Sequence, residues 1–162
     1  MTGGGSSIPE VQRLLAVLAT GRHVAEAGTA FGEGAAAMAR TAESVVTVEV
    51  DPERAAIASK RLAPFPNVEL LVGDWHELLP LRGPFGLVFL DGGGFAHAPE
   101  DVDELVVGLL EPGGLLVKDD LTPSWPGFDP VREWAFDHRE LEAVEILTTP
   151  ATSALVVARR AF

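Results

Sequence analysis

The stretch His23-Val24-Ala25-Glu26-Ala27-Gly28-Thr29-Ala30-Phe31-Gly32-Glu33-Gly34 constrains the fold more than any other part of the chain. A short apolar run ends in an acid, glycines follow at even positions, and an alanine-rich segment from Ala35 to Arg40 takes over. That order reads as strand, tight turn, helix. Glycine is needed where φ must be positive or where a ligand lies against the backbone with no Cβ between them, and the helix start behind the turn presents free N–H groups. Such a turn suits a nucleotide. The compact dinucleotide pattern G-x-G-x-x-G fits poorly, because the spacing is Gly28-x-x-x-Gly32-x-Gly34 with Ala30 where another glycine could stand. An ordinary strand-to-helix turn is the plainer alternative.

A chain of 162 residues has the length of one domain and can bury a core. Residues 1–7, rich in Gly and Ser, are expected to be disordered, and 8–162 to form the domain. No run approaches the roughly eighteen apolar residues of a membrane span, and the first residues lack the basic and apolar regions of a signal peptide. No membrane partner and a cytoplasmic location are therefore expected. The absence of cysteine excludes disulfides, a thiolate nucleophile and zinc-thiolate chemistry. A net charge of −12, with 12 Lys+Arg against 24 Asp+Glu, leaves too little for the basic stripe that a nucleic acid requires. The balance points to a small-molecule partner.

Ser7 can cap a helix that holds Pro9 and Glu10 in its first turn and runs to Gly21 with Val11, Leu14, Leu15, Val17 and Leu18 at helical spacing. The β-branched run Ser44–Val50 is a second strand, and Asp51-Pro52-Glu53 starts a helix through Leu62. Glu49 lies about twenty residues past the glycine turn, where a carboxylate can accept both hydroxyls of a ribose. Asp51 also reads as an N-cap with Pro52 at the first helical position. Val68–Val72 is the third strand, followed by Gly73-Asp74-Trp75-His76. An acid and an aromatic there suit adenine, by accepting its amine and packing on its face; equally, Asp74 caps a short helix through Leu79 and Trp75 belongs to the core.

Gly86–Leu90 is an unbroken apolar strand of the kind buried on both faces of a parallel sheet, and it ends in Asp91-Gly92-Gly93-Gly94, where three glycines keep the space around a carboxylate open. A helix over 99–110, a stop at Glu111-Pro112-Gly113-Gly114 and a fifth strand, Leu115-Leu116-Val117, closing in Lys118-Asp119-Asp120, come next. Asp91, Asp119 and Asp120 would meet at the carboxyl edge of the sheet, where open α/β sheets bind ligands. Three acids so close need a cation, and an all-oxygen set suits magnesium or a similar hard ion. A proline- and tryptophan-containing loop over 123–130, a helix over 131–138 and an antiparallel hairpin of 141–148 with 153–159 complete the chain.

Taken in order, Glu26-x-Gly28-x-x-x-Gly32, Thr47-Val48-Glu49-Val50-Asp51, Gly73-Asp74, Phe89-Leu90-Asp91-Gly92 and Leu110-Glu111-Pro112-Gly113-Gly114 resemble the class I S-adenosylmethionine-dependent methyltransferases over roughly residues 10–160. Asp91 with Lys118-Asp119-Asp120 is similar to the metal-dependent O-methyltransferases, both the catechol type and the relatives that methylate sugar hydroxyls. The resemblance implies an α/β, Rossmann-like, doubly wound seven-stranded sheet in the order 3-2-1-4-5-7-6 with strand 7 antiparallel. It also implies methyl transfer from S-adenosyl-L-methionine to a hydroxyl of a small molecule. By resemblance, Glu26 and the backbone at Gly28, Ala30, Gly32 and Gly34 hold the methionine part, Glu49 the ribose, and Asp74 with Trp75 the adenine. Asp91, Asp119 and Asp120 ligate Mg2+.

The chain also departs from that pattern. Gly94 stands where the catechol-type enzymes carry a lysine base, and Asp119-Asp120 replaces their Asp-Asn pair. His97 is the nearest titratable candidate for the base, of a residue type suited to proton transfer near neutral pH; it reads equally as a solvated residue before the helix at Pro99. Lys118 reads as a solvent-facing residue at a strand end. No acceptor-binding lid stands out beyond residues 1–10 and the 121–130 loop, which leaves a pocket for a homodimer to complete. Two rivals share the fold: a methyltransferase that needs no metal, and a cofactor-binding protein without turnover.

Overall fold

The computed structural model describes residues 7–91, 95 and 97–162. Residues 1–6 of the expected disordered start and the glycines 92–94, with the expectations attached to them, lie outside the described residues.

Seven strands alternate with helices: α1 Pro9–Leu18, β1 His23–Ala27, α2 Glu33–Ala39, β2 Ser44–Glu49, α3 Pro52–Leu62, β3 Val68–Val72, α4 Trp75–Leu78, β4 Phe85–Leu90, α5 Asp103–Leu109, β5 Leu110–Leu121, α6 Pro130–Asp137, β6 Leu141–Thr149 and β7 Thr152–Arg159. They form one sheet in the order β3-β2-β1-β4-β5-β7-β6, as expected. β1 pairs in parallel with β2 and β4, and β7 runs antiparallel to both β5 and β6.

The period of two along each strand divides the core between two faces. Val24, Leu87, Phe89 and Val117 pack against Val11 and Leu15 of α1 and Ala35 and Met38 of α2. Ala25, Ala27, Val88, Leu90 and Leu116 turn the other way, onto Val106 and Leu109 of α5 and Val131 and Ala135 of α6. Every residue of β4 is buried, as a central strand covered on both faces requires. Each fully buried Phe or Leu contributes about 1.5–3 kcal/mol relative to exposure.

Local chemistry sets the helix starts. Asp51 caps α3 by accepting from Glu53 N at 2.8 Å, with Pro52 at the first helical position, and Asp129 with Pro130 repeats the arrangement on α6. The first helix departs from expectation. Its cap is Ile8 in an extended conformation with no side-chain cap, and Ser7 contributes only its carbonyl, which accepts from Gln12 Nε2 at 2.6 Å. Two further boundaries differ. The helix expected over 99–110 divides into a 3-10 turn at Pro99–Val102 and α5, and Leu110 is already extended and pairs with Phe85. Glu111-Pro112-Gly113-Gly114 is therefore an irregularity inside a long β5, which resumes its pairing at Leu87 and Leu115.

Candidate functional site

The carboxyl ends of β1, β2, β4 and β5 gather the acids singled out from the sequence. Register puts Glu26 of β1 beside Thr47 of β2 and Phe89 of β4. Glu26 is 1% exposed, and its Oε2 accepts from Thr47 Oγ1 at 2.5 Å. Thr47 Oγ1 also lies 2.5 Å from Thr29 Oγ1 of the glycine turn. Each hydroxyl has one proton, so when Thr47 donates to Glu26 it must accept from Thr29. Burial, with Asp91, Asp119 and Glu49 adding repulsion against the pull of the Thr47 bond, pushes the Glu26 carboxyl up to about 8.

The turn itself is built on alternate left-handed residues: φ is +95° at Gly28, +48° at Ala30 and +87° at Gly32. Ala30 holds this conformation despite its Cβ, at a cost of about 1–2 kcal/mol. Its N–H donates to Glu49 Oε2 at 2.7 Å, while Asp51 N donates to Glu49 Oε1 at 3.0 Å. Glu49 thus ties the turn to the start of α3. Each of its oxygens keeps a second lone pair for a ligand. Gly34, on the first turn of α2, has no room for a side chain: a Cβ there would overlap Glu26 Oε1.

Two adjacent aspartates on a regular strand would face opposite ways. Here the pairing of β5 with β7 shifts between Lys118 and Leu121, and Asp120 takes φ +59°. The irregularity removes the alternation. Asp91, Asp119 and Asp120 consequently each offer an oxygen within 4.8 Å of the others. Asp119 is 3% exposed, and its buried Oδ1 has no hydrogen-bond partner among the described residues. Burial, then repulsion from Asp91 and Asp120, pushes Asp119 up to about 7 against the pull of Lys118; burial likewise raises Asp91. Three hard oxygen donors, one of them buried and unpaired, fit a small divalent cation.

Lys118 corrects the reading of a solvent-facing residue. It is 9% exposed, and its Nζ donates to the Asp119 carbonyl at 2.7 Å. Asp74 caps α4: its Oδ1 accepts from His76 N at 2.9 Å and lies 2.6 Å from His76 Nδ1. Trp75 is 7% exposed, joins the core and stacks on His76 with centroids 3.8 Å apart. His97 is exposed. Sequence reasoning missed Thr29 and Thr47; aligning the two strand ends by their parallel pairing is the signal that finds Thr47.

A family model described as a methyltransferase domain matches residues 25–121. The protein-L-isoaspartate O-methyltransferase of Bradyrhizobium sp. (strain ORS 278) is 34% identical over 96 residues, 58% of this chain and 42% of that protein. A catechol O-methyltransferase of Niastella koreensis is 30% identical over 122 residues, 67% of this chain and 53% of that protein. The chain spans about half the length of these curated relatives. Among solved structures, the O-methyltransferase TomG from Streptomyces achromogenes, involved in tomaymycin synthesis and solved in complex with SAM, superposes with a TM-score of 0.72. The match has 23% identity and covers 96% of this chain and 82% of that one, a likeness of fold.

Proposed function

The chain belongs to the methyltransferase-domain family, and from that premise we propose that it is an S-adenosylmethionine-dependent O-methyltransferase that acts on a hydroxyl of a small molecule with a divalent ion. One observation carries the reading. The acid beside the glycine turn and the three-aspartate cluster occupy the same sheet edge, close enough that Glu26 feels the charge of both Asp91 and Asp119.

In this reading Glu26 and the backbone at Gly28, Ala30, Gly32 and Gly34 hold the amino-acid end of the cofactor. Glu49 takes the ribose hydroxyls on its remaining lone pairs. The Asp74 oxygen not engaged by His76 accepts the adenine amine, with Trp75 supporting the loop from the core. Asp91, Asp119 and Asp120 hold the ion. When bound, the cofactor supplies an electrophilic methyl group and the ion acidifies a hydroxyl oxygen. The protein's own part is to fix the two ligands at adjoining strand ends, which removes most of the entropic cost of their encounter. His97 is the assigned acceptor of the hydroxyl proton. Trp125 and Phe128, 54% and 75% exposed on the loop after β5, give a homodimer or the acceptor an apolar wall. Among the described residues, no helix is long and apolar enough to cross a membrane.

Methyl transfer from labelled S-adenosylmethionine to a panel of hydroxylated small molecules tests the reading. Activity is expected with Mg2+, with loss in chelator and in Asp119→Asn. Full activity in chelator would replace it with a metal-independent methyltransferase. Tight S-adenosylhomocysteine binding without turnover on any acceptor would replace it with a cofactor-binding protein.

A further inference from the structure

Three carboxylates at one corner of a sheet must be balanced by something, and the chain carries a cation of its own there. Lys118 lies on β5 directly before the shifted segment, paired in register with Leu155 of β7. It is buried, and a lysine is almost never fully buried unless paired. Its Nζ donates to the backbone carbonyl of Asp119 at 2.7 Å, which holds the ammonium at the root of the segment that carries two of the acids. The positive charge acts on both Asp91 and Asp119. Counted formally, three carboxylates and one ammonium give the corner a charge of −2, equal and opposite to a divalent cation. Without the lysine it would be −3.

We propose that Lys118 is a built-in counter-ion that sets the charge of the metal site: it holds the acids together in the metal-free protein and keeps divalent binding weak enough for the ion to exchange. The proposal rests on the metal reading of Asp91, Asp119 and Asp120. Ligand charge count tunes cation affinity, and a fixed ammonium beside the ligands opposes an incoming cation. The same ammonium offsets repulsion among the acids when no ion is bound. Removing it should therefore move two properties in opposite directions. Divalent affinity should rise and metal-free stability should fall, whereas a lysine that served packing alone would lower both on removal.

The test is Mn2+ titration by calorimetry and thermal melting in chelator, on the full chain, for wild type, Lys118→Met and Lys118→Arg. Lys118→Met should bind Mn2+ roughly tenfold tighter or more while melting at a lower temperature in chelator. Lys118→Arg, which keeps the charge, should match wild type in both. If Lys118→Met does not fold, Lys118→Gln carries the same expectation, since it removes the charge while keeping a polar N–H donor on a side chain of similar length. Wild-type Mn2+ binding with unchanged or weaker affinity in the neutral variants overturns the role of Lys118 alone. No Mn2+ uptake by wild type, with S-adenosylhomocysteine binding intact, overturns the metal reading and the proposal with it.

Discussion

Gly34 and Glu26 are spatial complements: any side chain on the glycine would occupy the place of the Glu26 carboxyl. The carboxyl cannot yield easily, because it is buried and bonded to Thr47. Gly34→Ala should therefore cost about 1–3 kcal/mol by overpacking and weaken S-adenosylhomocysteine binding by roughly tenfold, the loss of one charged hydrogen bond. In a Glu26→Ala background the alanine has room, so its stability cost should fall by about 1 kcal/mol or more. Urea denaturation of the four proteins of this cycle checks it, and additive costs would refute the coupling.

The Glu26 carboxyl also makes stability depend on pH. Its folded pKa, pushed up to about 8 from an ordinary 4.5, means that the native state holds a proton the unfolded chain has released over that interval. Stability from this group is complete below the ordinary value and is lost as pH rises through the folded one. Glu26→Gln keeps the shape and removes the titration. Relative to wild type it should gain little at pH 5 and on the order of 1–4 kcal/mol at pH 9. Asp119, also raised, repels the ionised Glu26, so the difference at high pH includes the relief of that repulsion. Parallel stability curves from pH 5 to 9 would contradict the expectation.

Metal binding should follow the opposite pH trend. Asp119, near 7, and Asp91, also raised, must give up protons before they can act as ligands, so affinity for Mg2+ or Mn2+ should climb from pH 6 to pH 8. At a hundredfold excess over Kd the ion adds about 2.7 kcal/mol to stability, a rise in Tm on the order of 5–10 °C for a domain of this size. Asp119→Asn and Asp120→Asn should remove most of the rise. A shift that is independent of pH and survives both substitutions would place the ion elsewhere.

What could be read in advance follows from how local each determinant is. The two-sided burial of β4 was visible as an unbroken apolar run, and the cap of α3 as Asp51-Pro52, because each depends on neighbours in the chain. That Asp91 shares an edge with the Asp119-Asp120 pair was legible for a similar reason, since acids at the ends of adjacent parallel strands lie together, whereas the turning of both Asp119 and Asp120 toward one point was not. Cross-strand facts were not visible. Thr47 meets Glu26 only through the register of β1 and β2, and Glu111–Gly114 looked like a stop because nothing nearby reveals that Leu110 already pairs with Phe85. Asp120 takes its left-handed conformation within the shifted pairing with β7, and Lys118 is buried where β5 still pairs with Leu155; both are tertiary properties.

Arg132 should prove to be the fastener of the segment that follows the aspartate pair. Its Nε and Nη2 grip both oxygens of Glu145 at 2.9 and 2.6 Å, Nη2 also reaches the Thr122 carbonyl at 2.7 Å, and Nη1 pairs with Asp129 at 2.5 Å. One planar group thereby joins the exit of β5, the cap of α6 and strand β6. Arg132→Ala leaves the partly buried Glu145 with Ser153 Oγ as its remaining hydrogen-bond donor among the described residues, and should cost about 2–3 kcal/mol. Lysine should recover less than half of that, since a single ammonium cannot span the three partners at once. The advantage of wild type should shrink at low pH. Arg132 holds the Glu145 carboxyl below its ordinary value, so that part of the stability is lost as pH falls through the folded pKa. Limited proteolysis supplies the local readout: cleavage between residues 122 and 129 should quicken in Arg132→Ala. An unchanged cleavage rate with an intact fold would mean that the segment is held by other contacts.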